Sequence, residues 1–285
     1  MNTNTYAKNN NEISNSKEDK SMTRTAIINE LKNRGYNAEA QDVVKNGVTK
    51  RGVLFKTESN VSPVVYVEDL IAKGFTVSEI VDTCIEIFEE NHNHNLSTLK
   101  EQLFSPDFLA ENCYVGLQKS SDEDIVKFDT EFVGIEQYVY VRVAMPKGQG
   151  SIKLNQQILD MANVSEDFVL LNAMRNTFKE TKLVSMAEMF GLPTMSPIGD
   201  VYLLTNTHEF KGASAILDKD FLKAYGEKHH VHHIIAIPSS IHEFIIMPYH
   251  DWDDIDAITA MVKEINAAEV KPEEQLADRG FILKI

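Results

Sequence analysis

Residues 235 to 250 read IAIPSSIHEFIIMPYH, and Ser239, Ser240, His242 and Glu243 bring hydroxyls, an imidazole and a carboxylate within five positions. Serine becomes a catalytic nucleophile when a base lies within hydrogen-bond reach and a third group orients that base. On an extended backbone Ser240 and His242 share one face, while Glu243 points to the other, which is wrong for orienting the imidazole. No Gly-x-Ser-x-Gly elbow is present, and a second apolar run rather than a helix follows the serines. The pattern therefore favours a β-hairpin whose connection is Pro238-Ser239-Ser240-Ile241, with the serines bonding local backbone.

A second cluster is His229, His230, His232 and His233, with His250, Asp251, Asp253 and Asp254 expected across a strand pair. Neutral imidazoles ligate zinc, nickel or copper. The run lacks the His-x-x-x-His spacing that sets two rings on one helix face, so a helix end with dipole-compensating histidines is the simpler account. Asp251 or Asp253 reads as an N-cap, with Trp252 stapled to the helix that follows. The segment from Thr205 to Ala213 joins a strand to a helix through Gly212. It carries neither glycine-rich nucleotide fingerprint. No cofactor is expected.

The elements that must position these residues can be read from periodicity and punctuation. The polar, asparagine-rich stretch 1–21 is expected to be disordered, and Met22 could serve as a second start. TRTAIINELKNRG predicts a helix stopped at Gly35. Asn46-Gly47 predicts a hairpin, and Pro63 ends that region. Gly74 stops a short helix beginning near Tyr66, and Thr76 to Glu79 is a capping box opening a longer one. CYVGLQ, GIEQYVYVRVAMP and SIKLN read as strands, with Gly148 and Gly150 in a loop. A helix with an apolar stripe of Phe168, Leu171, Met174 and Phe178 follows, then a second capping box at Ser185 to Glu188. The last 85 residues predict βαββαβ, with strands apolar enough to be covered by helices.

The chain has 285 residues, 43% hydrophobic and 25% charged, which is enough for a real core, and a net charge of −15. That charge repels phosphate backbones and disfavours nucleic-acid binding. No apolar run is long enough to span a membrane, and the N-terminus has no apolar signal region. Cys84 and Cys113 are the only cysteines. Buried free thiols in a reducing compartment are the expectation, and with it a cytoplasmic location.

Several phrases together resemble an uncharacterised bacterial family, a domain of unknown function common in gut clostridia and their mobile elements. They are Lys45-Asn46-Gly47, Ser62-Pro63 with Val64 to Val67, the helix from Thr76, and Asn172 to Thr177. Nearer the C-terminus they are Leu203 to Asn206, Gly212-Ala213, Ile237 to Glu243, Val262 with Ile265-Asn266, Glu269-Val270, and Glu273-Glu274. The resemblance covers roughly residues 25 to 285. It implies that the Pro-Ser-Ser-Ile-His-Glu turn belongs to the family pattern and that the histidine run and the tail do not. It carries no activity over.

The expected fold is therefore α+β, a mixed or antiparallel sheet with packed helices. Residues 1–21 form a tail, 22–112 a hairpin with helices, and 113–285 a sheet-containing region continuous with them. The expected function is a non-enzymatic interaction or regulatory protein with an unidentified protein partner, of phage or mobile-element origin. The alternative is a small serine hydrolase using Ser239 or Ser240 with His242.

Overall fold

Asn46 and Gly47 both adopt left-handed backbone, with φ of 49° and 73°. This is the two-residue turn whose twist matches flanking strands, and it joins β1 (Ala38–Lys45) to β2 (Val48–Phe55) in antiparallel register. The computed structural model describes residues 23–56, 64–91, 101–145, 148–193 and 199–285. The predicted disordered tail and Ser62-Pro63 lie outside these residues. The chain divides into two units, Met1–Lys100 and Glu101–Ile285.

In the first unit, β3 (Val64–Tyr66) adds to β2, so the short helix starts later than its sequence suggests, at Glu68–Ala72. The helix 23–33 ends at Gly35, φ 91°. The Thr76 amide donates to Glu79 Oε2 at 2.8 Å, opening the helix Val77–Asn91 as its capping box predicts. Ile27, Leu31, Val53, Phe55, Ile80, Val81 and Cys84 form the core. Cys84 is free, and burial pushes its thiol up to about 12, so it packs as a small hydrophobe.

The second unit holds two antiparallel sheets. One is built on β6 (Ile135–Met145), flanked by β4 (Cys113–Lys119) and β5 (Lys127–Asp129), with β7 (Gly148–Lys153) also pairing β6. Gly148 and Gly150 therefore lie in a strand, opposite Met145 and Val143. The loop predicted there shrinks because glycine in an extended strand is tolerated where its neighbour supplies the ladder bonds. The other sheet has the order β12-β10-β11-β9-β8. Its strands are β8 (Thr181–Ser185), β9 (Tyr202–Asn206), β10 (His233–Ser240), β11 (Glu243–Pro248) and β12 (Phe281–Lys284).

The predicted βαββαβ order is present, with helices Lys219–His229 and Ile255–Ala268 as its crossovers. Alternation along β10 explains its unbroken apolar run. Ile234 and Ala236 face the core containing Leu222 and Tyr225, while Ile235 and Ile237 face Ile255, Ile258 and Val262.

Two further expectations change. The helix Glu166–Phe178 buries Val169, Asn172, Ala173, Asn176 and Thr177, while Leu171 is 72% exposed. Its inward stripe mixes apolar Val169 and Ala173 with polar Asn172, Asn176 and Thr177, and the last two bond backbone of β4. Asn176 Nδ2 donates to the carbonyls of Ala110 and Cys113 at 2.9 and 3.0 Å, and Thr177 Oγ1 accepts from the Val115 amide at 2.9 Å. The N-cap of the helix Ile255–Ala268 is Asp254, which accepts from the amides of Asp256 and Ala257. Asp253 instead accepts from the His250 amide at 2.7 Å, and Trp252, 80% exposed, stacks on His250 rather than on the helix. Among the described residues no helix is long and apolar enough to cross a membrane.

Candidate functional site

The turn between β10 and β11 is Ile241-His242, two residues beyond where proline and serine content places it. Pro238 still pairs with Phe244, and the register shifts between Pro238 and Ser240, so Ser239 sits in a bulge. Ser239 donates to Glu243 Oε1 at 3.3 Å. Ser240 Oγ accepts from the backbone amide of His242 at 3.0 Å, not from its ring. The imidazole Nδ1 accepts from the backbone amide of Lys211 at 3.1 Å, which places its proton on Nε2. Burial holds the His242 pKa below the ordinary histidine value, with the charge of Lys211 adding to the effect and Glu274 opposing it.

The turn thus grips a neighbouring loop, residues 206–212. Thr205 donates to the His242 carbonyl at 2.9 Å. Asn206 Oδ1 accepts from the amides of His208 and Phe210, and its Nδ2 donates to the Phe210 carbonyl. Glu209 and Lys211 both take left-handed backbone, φ 53° and 54°. Such residues cost about 1–3 kcal/mol each and persist where surrounding contacts over-determine them. Gly212 is obligatory, because a Cβ there would lie 2.6 Å from the Asn206 nitrogen and 2.7 Å from the His242 carbonyl oxygen.

What the loop presents is the Lys211 side chain. Its Nζ donates to the Tyr138 hydroxyl at 2.5 Å and lies 5.1, 5.3 and 5.7 Å from the ring centres of Tyr138, Tyr140 and Phe210. These tyrosines belong to one face of the β6 sheet. Period two puts Glu136, Tyr138, Tyr140 and Arg142 on that face. Their partners there are Gln118, Gly116 and Tyr114 on β4 and Lys153 on β7. Gly116 lets the Tyr138 ring approach, since an added Cβ would meet its Cζ at 2.6 Å.

Charges on this face pair unevenly. Lys127 lies 3.5 Å from Glu136. Lys153 pairs with Glu123, donates to Gln118 Oε1 at 2.7 Å, and has a side chain 24% exposed, so the cluster communicates with solvent. Glu123 Oε1 is buried without a hydrogen-bond partner among the described residues. Lys211 has no carboxylate partner within 4 Å among the described residues. Burial pushes its pKa down to about 8, with Glu123 opposing. Glu123 thus contacts Lys153 and acts on Lys211 only at longer range, while Glu136 also acts on Lys153. Farther along the same face, Arg142 makes a two-bond pair with Glu180 at 3.1 and 2.9 Å and covers the Tyr114 ring.

The four histidines do not converge. His229 stacks on Tyr225 at 4.3 Å, and burial lowers its pKa. His230 is the left-handed C-cap of its helix, and His233 is exposed at the start of β10, edge-on to Tyr249. The main chain of His232 accepts from the Ile285 amide. Among the described residues no group of three or more His, Cys, Asp or Glu could hold a metal ion.

Lys211, Lys153, Glu123, Tyr138 and Tyr140 were not singled out in the sequence. The signal that could have found them is the alternation Glu-x-Tyr-x-Tyr-x-Arg in β6, where one face of an otherwise valine-rich strand is polar. A model described as a family of unknown function, DUF5688, matches residues 18–283. No curated protein and no solved structure matches the chain.

Proposed function

The chain belongs to the DUF5688 family of unknown function, and from that premise we propose that it is a regulatory protein responding to a small carboxylate bound at Lys211. One observation carries the reading. The Lys211 ammonium is held among three aromatic rings with a phenol but no carboxylate. A buried cation without a counter-ion is costly, and a bound monoanion relieves that cost. Strained backbone at Lys211 and the perturbed amine support the choice of site.

The regulatory element is the contact between the Lys211 amide and His242. A ligand that draws on Lys211 also pulls on the hairpin tip, where a protein partner would sense it. The acidic composition and the two free, buried cysteines favour a cytoplasmic setting for this activity, and an origin in a mobile element belongs to the same proposal. No described contact favours the serine-hydrolase alternative, because both serine hydroxyls are engaged away from the imidazole.

Calorimetric titration of the full chain with glycolate tests the reading. Binding that weakens at least about tenfold, or about 1.4 kcal/mol, in Lys211→Met supports it. The sign of the pH dependence is fixed: affinity falls as pH rises through about 8, where the ammonium loses its proton. Equal binding by Lys211→Met would remove the basis of the proposal.

A further inference from the structure

We infer that Lys211 is a carbonyl-reactive amine, and that the occupant of this centre is a small carboxylate also bearing an aldehyde or ketone, held as an imine. This inference rests on the anion reading above and adds a covalent step to it. The geometry supplies the parts that imine formation needs. The Tyr138 hydroxyl lies 2.5 Å from Lys211 Nζ, within reach of a carbonyl oxygen bonded to the carbon that Nζ attacks. Lys153, tied to Glu123 and Gln118, lies over the same Tyr138 ring as Lys211 and leaves the Lys211 amine as the one without a carboxylate in contact among the described residues. Desolvation of a lysine is a known way to free an amine for attack.

In the step itself, the Nζ lone pair adds to the carbonyl carbon as the C=O π pair moves to oxygen, which takes a proton. Nitrogen loses a proton to give the carbinolamine. Its hydroxyl takes that proton and departs as water while the nitrogen lone pair forms C=N, leaving a protonated imine that can shed its last N–H proton. One water is released and nothing is oxidised or reduced. The imine, once protonated, carries one positive charge opposite the ligand's own carboxylate, which supplies the counter-ion that Lys211 lacks. Burial pushes the Lys211 amine down to about 8, against an ordinary lysine value of 10.5. At pH 8 it therefore holds about a hundredfold more free amine than an exposed lysine.

The test treats the full-length protein with glyoxylate and cyanoborohydride at pH 8, then maps adducts by peptide mass spectrometry. The expected result is carboxymethylation of Lys211 at least about tenfold faster than at any other lysine. The rate should reach half its maximum near pH 8 and fall in Tyr138→Phe. Label spread evenly over the surface lysines, or a rate still climbing at pH 10, would overturn the inference. Mapping the unaltered chain decides this even if a variant fails to fold. Glycolate separates the two ideas. If it binds at Lys211 while glyoxylate gives no adduct there, the anion reading stands and the covalent one falls. If neither engages Lys211, both fall.

Discussion

At the residue scale, the His242 imidazole does a backbone's work, accepting an amide hydrogen bond at the apex of a turn. Because burial lowers its folded pKa, the unfolded chain binds more protons below the ordinary histidine value of 6.5. Its contribution to stability is then complete above pH 6.5 and is lost as pH falls below it. We expect urea midpoints to drop between pH 6.5 and 5, and His242→Asn, which keeps an acceptor but cannot titrate, to flatten that drop. His229, whose pKa is also lowered, leaves a residual slope. An unchanged slope in His242→Asn would show that the imidazole is neutral for some other reason or is not titrating at all. Lys211 offers a second check. Its folded pKa is also depressed, so a cost to folding builds up as pH falls from 10.5 through about 8 and is fully present at pH 7. Lys211→Met is therefore expected to leave stability at pH 7 unchanged or to raise it by about 1 kcal/mol, measured by urea unfolding. A loss of several kcal/mol would mean that the ammonium is a stabilising part of the core.

At the element scale, two close approaches fix the site. Gly212→Ala pushes a methyl into the backbone of Asn206 and His242 and is expected to cost about 1–3 kcal/mol. It should weaken glycolate binding as well, because the loop carrying Lys211 must shift. Asn176→Ala removes the donor shared by the carbonyls of Ala110 and Cys113 and is expected to cost about 1–3 kcal/mol without affecting glycolate. The contrast between the two variants separates the site from the scaffold. Elements whose signals are local were legible in the sequence: the Asn46-Gly47 turn, the Thr76 capping box, the glycine stop at Gly35, and the helices and strands from Tyr202 onward. The stripe on the helix Glu166–Phe178 was not legible, because buried Asn176 bonds the carbonyls of Ala110 and Cys113, contacts that periodicity cannot see. β5 and β8 were missed because short strands owe their extension to a partner strand rather than to their own composition.

At the scale of the whole molecule, the second unit contains the entire Lys211 cluster and its own core, which joins Leu117 and Ile135 of one sheet to Leu204, Phe244 and Phe281 of the other. Residues 101–285 expressed alone are expected to unfold cooperatively and to bind glycolate as the full chain does. A molten or non-binding fragment would show that the site depends on residues before 101. The net charge of −15 makes a cationic centre more distinctive, since most of the molecule's field repels the anion that Lys211 would bind. Added salt, which screens that repulsion more than it screens a buried contact, should raise glycolate affinity modestly rather than weaken it.

The sequence by itself determined the α+β class, the hairpins, the capping boxes at Thr76 and Ser185, the covered βαββαβ sheet and the two buried thiols. Each follows from residues close together in the chain, through turn chemistry, capping or period. It also showed that Ser239, Ser240, His242 and Glu243 form a hairpin tip rather than a strand-to-helix elbow. Only the tertiary structure decided what that tip touches, the loop that carries Lys211. Lys211 lies 31 residues from His242 and 73 from Tyr138, and no local pattern links them. Their meeting depends on how a left-handed loop, a glycine contact and the polar face of β6 pack in space, and the charge imbalance that makes the site a candidate exists only once they do.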